Sequence, residues 1–257
     1  MSAVFDAYAA YYDLLYQDKD YSAETQFVHD QLVKYGVPEK ASLLELGCGT
    51  GKHAEGFARL GYRLRGVDMS QAMVNVANAR KPADVAGQLE FAVGDVRDVR
   101  VDKSFDAVIS LFHVASYQTT NTDLSSMFQT AAAHLKPGGV FLFDCWYGPA
   151  VLTDRPVMRV KRMHNEAIEV LRIAEPIMHV NENVVDVNYT VQVKKKGDER
   201  VFELHEKHSM RYLFTPEVEL LLAQAGMRQV ARVQWLTGKP TGFDSWAATF
   251  IAMKEAR

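Results

Sequence analysis

The sequence predicts an α/β fold: a doubly wound, mostly parallel sheet with an antiparallel β segment inserted into it. Three observations carry this. From about residue 40 to 150, short apolar runs alternate with helical patterns, as in parallel strands joined by crossover helices. A glycine-rich turn, Gly47-Cys48-Gly49-Thr50-Gly51, follows the first apolar run and opens a helix. From about Arg159 to Leu213 the texture becomes long alternation of polar and apolar residues, which is how an antiparallel sheet with one wet face reads.

Taken in order, Ala41 to Leu46 reads as a buried strand ended by Gly47, and Lys52 to Leu60 as a helix with Gly61 at its C-cap. Arg63 to Val67 is a second strand, and Ser70 caps a helix from Gln71 to Arg80. Leu89 to Val93 is a third strand and Phe105 to Leu111 a fourth. A helix from Asp123 to Leu135 is stopped by Lys136-Pro137-Gly138-Gly139, and Val140 to Phe143 is a fifth strand. The inserted part shows three strands: Ala167 to Ile173, Val184 to Val193, and Arg200 to Leu213 after a charged turn over Lys194 to Glu199. Thr215 as N-cap and Pro216 begin a helix that ends at Gly226. Final strands over Gln229 to Leu236 and Trp246 to Met253 close the main sheet, for seven strands in all. The β-rich stretch is therefore an insertion within the fold, not a trailing domain.

The bulk composition excludes several classes. A chain of 257 residues with 48% hydrophobic and 24% charged residues is neither disordered nor fibrous. It buries roughly three quarters of its unfolded surface and needs no disulfide or metal staple. Net charge is −3, from 29 basic and 32 acidic residues, which gives no global attraction to nucleic acid or anionic lipid. No apolar run reaches the ~20 residues of a membrane span. Met1 to Asp20 lacks the basic and apolar regions of a secretory signal, and two cysteines make no disulfide framework. The expectation is a cytoplasmic protein.

The glycine turn is the most informative segment. Its glycines let the backbone take positive φ and approach a ligand closely, and the helix that follows offers oriented N–H groups. The pattern is not the dinucleotide G-x-G-x-x-G, because Lys52 stands where that fingerprint has glycine. No P-loop motif is present. Asp68 ends the second strand, where a carboxylate can accept both hydroxyls of a ribose lying across the switch point. Asp95 ends the third strand, in reach of an adenine amine, and Met69 and Val96 beside the two acids can pack on the adenine. Glu45 is placed to orient the turn or to meet a cationic ligand group.

The run Glu45-Leu46-Gly47-Cys48-Gly49-Thr50-Gly51, the acid in Gly66-Val67-Asp68-Met69-Ser70, the Gly94-Asp95 pair and Leu135-Lys136-Pro137-Gly138-Gly139 resemble the class I S-adenosylmethionine-dependent methyltransferases. The resemblance covers roughly residues 40 to 145. It implies a Rossmann-like seven-stranded sheet and S-adenosylmethionine as cofactor. Its methionine end would lie over Gly47 and Gly49, its ribose on Asp68, and its adenine by Met69, Asp95 and Val96, with Leu111 also lining the site. The segment Tyr12 to Tyr21 is similar to the N-terminal lid of the enzymes acting on nucleotide-linked amino sugars. On that likeness Tyr12 and Tyr21 would cover the cofactor and Tyr16 would face the acceptor. An aromatic face near a sulfonium is physically sensible, and a lid excludes water; tyrosines packed on the core are the other reading, favoured for Tyr8 and Tyr11.

In the class I fold the loop Ser110 to Tyr117 borders the transferring methyl. His113 is the leading general base, since histidine titrates near neutrality, and a structural histidine is the competing reading. Tyr117 is the second candidate or an orienting hydroxyl. Trp146 and Tyr147 can stack on a sugar ring or pack in the core, and Asp144 can pair with a substrate cation. Cys145 reads as a small buried residue. Arg155, Arg159, Lys161 and Arg162 can hold a diphosphate or form a solvated strand face. The remaining histidines show no metal spacing, so no metal is assigned.

The expected division is a helical lid over 1–35, the cofactor-binding core over 36–150, the insertion over 151–213 as acceptor pocket or dimer interface, and 214–257 completing the sheet. The expected reaction is methyl transfer to an amine or hydroxyl of a small molecule, a nucleotide-linked amino sugar first, with no nucleic-acid or membrane partner. The sequence leaves open N- against O-methylation, another small metabolite as acceptor, a homodimer, and a non-catalytic cofactor-binding module.

Overall fold

The computed structural model describes residues 14–15, 19–198 and 200–255; Tyr12 and Tyr16 lie outside them. The chain divides into two compact units, Tyr21–Asp154 with the residues from Arg211 on, and Arg155–Met210 with the described residues ahead of Tyr21.

The first unit opens with α1 (Tyr21–Lys34), β1 (Ser42–Leu46), α2 (Lys52–Arg59), β2 (Arg63–Asp68), α3 (Gln71–Arg80) and β3 (Leu89–Val93). It continues with β4 (Phe105–Ser110), α4 (Asn121–His134), β5 (Leu135–Tyr147) and the short α5 (Gly148–Thr153). The second unit holds β6 (Arg159–His164), β7 (Ile168–His179), β8 (Val184–Lys195) and most of β9 (Val201–Leu213). The chain then re-enters the first unit for α6 (Thr215–Gln224), β10 (Met227–Gln234) and β11 (Ala247–Lys254).

Strands β3-β2-β1-β4-β5 run parallel in that order. β11 joins the free side of β5 antiparallel, and β10 pairs antiparallel with β11. These five parallel and two antiparallel strands are the expected seven, and the end of β9 adds a short parallel pairing to β5, Tyr212 and Leu213 against Trp146 and Tyr147. All five residues of β1 are buried, because both faces of a central parallel strand are covered. Successive residues serve opposite layers. Leu43, Ala107, Ile109 and Leu142 pack with Phe27, Val28 and Leu32 of α1 and Phe57 of α2. Leu44, Val108, Phe141 and Phe143 pack with Leu124, Met127, Phe128 and Ala131 of α4. Each of the larger side chains contributes about 1.5–3 kcal/mol by its burial.

Local signals set most boundaries. Gly61, at φ 93°, ends α2 in a Schellman motif, its N–H on the Ala58 carbonyl (2.9 Å) and that of Tyr62 on Phe57 (3.1 Å). Ser70 Oγ accepts the Met73 N–H at 3.4 Å. Thr120 Oγ1 accepts the Asp123 N–H at 3.0 Å, so α4 begins at Asn121, earlier than expected.

Four readings are corrected. The Lys136-Pro137-Gly138-Gly139 stretch belongs to β5 rather than to a turn ahead of it. Gly138 at φ 73° and a register shift between Phe105 and Ala107 let extended pairing with β4 resume. Thr215 is the first residue of α6, and Phe214 holds the cap position, its N–H bound at 2.7 Å by the Glu217 carboxylate. The Thr215 hydroxyl is instead engaged by the Arg232 guanidinium and lies 3.3 Å from the Tyr147 hydroxyl. The insertion has four strands rather than three. β7 runs on to His179 because its pairing with β8 continues that far; beyond Ala174 it has no β6 neighbour, and Pro176, with no N–H to donate, is tolerated on such an open edge.

In the second unit Met163, Ile168, Val170, Val191 and Val193 form one apolar face, and Leu14, 2% exposed, packs into that cluster. The basic cluster is split. Arg159 and Lys161 share a face with Ala174 and Arg172, whereas Arg162 shares the opposite one with Leu171. Among the described residues no helix is long and apolar enough to cross a membrane.

His134, 2% exposed on α4, lies with Nδ1 2.8 Å from the Thr130 carbonyl, and its Nε2 accepts the Val101 N–H at 2.9 Å. Burial pushes its pKa below the ordinary 6.5. The unfolded chain therefore binds more protons just below pH 6.5, so stability is full above that value and falls as the pH drops from it toward the folded-state pKa. Urea midpoints measured from pH 7.5 to 5 should decline over this range. His134→Gln should be less stable by about 1–3 kcal/mol and show a flatter decline; an unchanged slope in the variant would exclude His134 as the source.

Candidate active site

The site is built where β1, β2, β4 and β5 end. Past Leu46, the N–H groups of Gly47 and Cys48 both reach the Val67 carbonyl, at 2.8 and 2.9 Å. Asp68 then closes the turn: one carboxylate oxygen accepts the Gly49 N–H and the other the Ser70 N–H, each at 2.9 Å. One side chain thus fixes both the glycine turn and the start of α3. Gly47 has φ 81°, and a Cβ there would lie 2.6 Å from a methyl of Val114. Gly49 has φ 53° and would meet nothing within 4 Å, so that part of the turn faces open space. Met69, 73% exposed, follows Asp68 directly.

Asp95 does not stand free. Arg97 holds both its oxygens through Nε (2.9 and 3.1 Å) and Nη2 (2.5 Å), and also reaches Asp123 at 3.0 Å. Hydrogen bonds from Arg97 hold the Asp95 carboxyl below the usual range. A ligand amine would therefore join an occupied carboxylate through a remaining lone pair. Val96 is buried in the α4-side core.

Glu45 is 1% exposed. It lies 3.9 Å from Nδ1 of His53, whose Nε2 is 2.7 Å from Glu24 of α1. The Tyr21 ring packs edge-on against His53 at 5.0 Å, with the Lys52 ammonium 4.9 Å from its centre. This buried carboxylate–imidazole–carboxylate group ties α1 to α2 and β1. It was not foreseen, because its members come from three separate elements.

At the end of β4, Leu111 is 1% exposed, so its contribution to a ligand is through its backbone. Phe112 and His113 are consecutive non-glycine residues in the left-handed region, φ 65° and 63°, a strain of about 1–2 kcal/mol each. Such strain persists only where surroundings impose it, and it concentrates at functional sites. The restraint comes from Asp144 on β5, 1% exposed. Its oxygens accept the His113 N–H at 3.1 and 3.2 Å, and Oδ2 lies 2.7 Å from the ring Nδ1. That last approach is close but bent away from the ideal hydrogen-bond axis. Asp144, read from the sequence as able to pair with a substrate cation, here holds His113. Tyr117 is 46% exposed at the end of the same loop.

Trp146 packs edge-on against Trp246 at 5.5 Å, and its backbone N–H donates to Ser116 Oγ at 2.9 Å. Tyr147, expected beside a sugar ring, is 6% exposed and sits in the α4-side core with Phe250. Adjacent strand residues face opposite ways, so only Trp146 of the pair is available on the other face. Burial raises the thiol pKa of Cys48 and Cys145, both free, which suits inert packing and not nucleophilic chemistry. Among the described residues no group of metal-ligating side chains is gathered.

A parallel sheet with a glycine turn after its first strand and an acid after its second is the arrangement that holds a nucleoside across strand ends. A family model for a methyltransferase domain matches residues 43–139. The chain is 32% identical over 237 residues to the dTDP-3-amino-3,4,6-trideoxy-α-D-glucopyranose N,N-dimethyltransferase of Streptomyces venezuelae, covering 91% of this chain and 94% of that one. It is 31% identical to the dTDP-4-amino-2,3,4,6-tetradeoxy-D-glucose N,N-dimethyltransferase of Saccharopolyspora spinosa, covering 91% and 89%. Among solved structures, an S-adenosylmethionine-bound amino pentose methyltransferase from Micromonospora echinaspora superposes with TM-score 0.76 at 25% identity, covering 96% of each chain. The chain belongs to the S-adenosylmethionine-dependent methyltransferases.

The residues present fit that cofactor: the turn is open at Gly49, and each Asp68 oxygen, bound by one N–H, keeps a lone pair for a ribose hydroxyl. Gly47→Ala should cost about 2–4 kcal/mol, from the clash with Val114 added to positive-φ strain. Gly49→Ala should cost only about 1–2 kcal/mol, from strain alone. Urea unfolding checks the order, and equal losses would contradict the packing described.

Proposed function

We propose that the protein methylates the amino group of a small nucleotide-linked amino sugar. The observation that carries this is the match over nearly the whole of both chains to N,N-dimethyltransferases of dTDP-linked amino sugars. An acceptor of this kind also suits the slightly negative net charge, which favours no polyanionic partner.

When bound, S-adenosylmethionine supplies an electrophilic methyl on a sulfonium. Asp68 takes the ribose hydroxyls, Met69 covers the adenine, and Asp95 meets its edge, with Val96, its side chain turned into the core, contributing through its backbone. Gly47 and Gly49 leave room for the methionine end, and Glu45 holds the turn from behind through His53. Leu111 lines the floor. Tyr12, Tyr16 and Tyr21 belong to the N-terminal cover, and Trp146 offers an aromatic face to the sugar.

Because the methyl is transferred by in-line displacement, positioning supplies most of the rate. The acceptor nitrogen forms its bond to carbon with its lone pair, and the carbon–sulfur electron pair leaves with sulfur. The nitrogen then carries a positive charge and sheds a proton. His113 accepts it on a ring nitrogen, held by the buried Asp144 beside it, and Tyr117 orients the acceptor. The free, buried Cys48 and Cys145 suit the reducing cytoplasm.

His113→Ala should lower kcat by about 10²–10⁴-fold, with the affinity for S-adenosylhomocysteine in calorimetry little changed. Activity near wild type would make His113 structural. Asp68→Asn should weaken S-adenosylhomocysteine binding by roughly 10-fold or more, as loss of charge-assisted bonds does. No binding by the wild-type protein would overturn the cofactor assignment itself.

A further inference from the structure

We infer that Asp144 is a positioning residue for His113: its buried carboxylate fixes the imidazole in the Nδ1–H form and leaves Nε2 as the proton acceptor. This rests on the reading of His113 as the general base.

Asp144 stands on β5 and His113 on the turn after β4, neighbouring parallel strands paired up to Ser110 and Phe143. The carboxylate holds the residue in two ways. Both oxygens accept its backbone N–H, which stabilises a left-handed residue that follows another one. The same carboxylate then lies 2.7 Å from the ring Nδ1. A carboxylate can only accept, so a lone pair on Nδ1 would face it repulsively, whereas a proton there is attracted even off the ideal axis. The proton of the neutral ring therefore resides on Nδ1, and Nε2 carries the basic lone pair.

Asp144 is 1% exposed, so its carboxylate acts inside the fold. Ser116 Oγ binds the Trp146 N–H, which further fixes the loop of His113 against β5. The Phe112 ring, 5.8 Å from the imidazole, adds an apolar neighbour and no competing charge. The arrangement is base plus orienting acid, with the acid acting on both ring and backbone.

The test uses the intact enzyme labelled with 15N-histidine, its ring shifts read at a pH where His113 is neutral. The proposal expects the Nδ1–H tautomer in the wild type and a shift toward Nε2–H in Asp144→Asn. Asp144→Asn should lower kcat roughly 10- to 100-fold, as removal of an orienting partner does. S-adenosylhomocysteine affinity should stay within about twofold, since the altered contact lies away from Asp68. The double variant Asp144→Asn/His113→Ala should be no slower than His113→Ala alone, because the two act as one unit.

An Nε2–H tautomer in the wild type overturns the proposal without any variant, so a poorly folding Asp144→Asn does not rescue it. Wild-type kcat in Asp144→Asn, or losses that multiply in the double variant, overturn it as well. If His113→Ala keeps wild-type kcat while the wild-type ring is Nδ1–H, it is the base assignment that fails and not the contact.

Discussion

The arrangement of the site depends on one carboxylate. Asp68 ties the glycine turn after β1 to the first turn of α3 through two backbone N–H groups. The left-handed glycines leave their amide groups aimed into the turn, and without an acceptor there the segment would have several conformations of similar energy. With Asp68 in place, the turn is closed on the β2 side and open at Gly49. The same side chain holds two backbone segments at once, so its loss would loosen both the turn and the start of α3.

A second pattern repeats this economy. At each strand end a charged or polar side chain reaches across to a neighbouring element: Asp95 to Arg97 and on to Asp123 of α4, Ser110 Oγ to the Leu46 carbonyl, Asp144 to His113. These contacts are the cost-effective way to hold irregular backbone, because loops lack the ladder bonds that satisfy strands. Asp106 illustrates the electrostatic side. Although burial pushes its carboxyl up, hydrogen bonds from Lys136 and Ser42 bring it down to about 2, so it stays charged throughout the physiological range.

What the sequence revealed followed the range of the interaction. The strands over 42–46, 63–68 and 89–93 and the caps at Gly61 and Ser70 were legible, because each depends on a few adjacent residues. So was the pairing of glycine turn and Asp68, which is a motif as much as a contact. Longer-range facts were not. Asp144 and His113 are 31 residues apart, and no glycine announces the left-handed backbone at Phe112 and His113. The Glu24–His53–Glu45 group draws on three elements. Tyr147 had two readings in the sequence, a sugar platform and a core residue, and its packing with Phe250 in the core depends on a partner about a hundred residues away. Thr215 had the chemistry of a cap, yet its hydroxyl was taken by Arg232 and Tyr147, partners invisible from the local sequence.

The two free thiols turn this architecture into its own reporter. Cys48 lies in the glycine turn, and Cys145 follows Asp144 on β5, 6% and 0% exposed. With burial raising both pKa values, alkylation of either requires the surrounding structure to open first. Labelling rates under native conditions therefore measure opening free energies at two places, one in the glycine turn and one in the core under β5. A molecule that stiffened only one of them would slow only one reaction, so the local mechanical effect of each ligand can be followed without altering a residue.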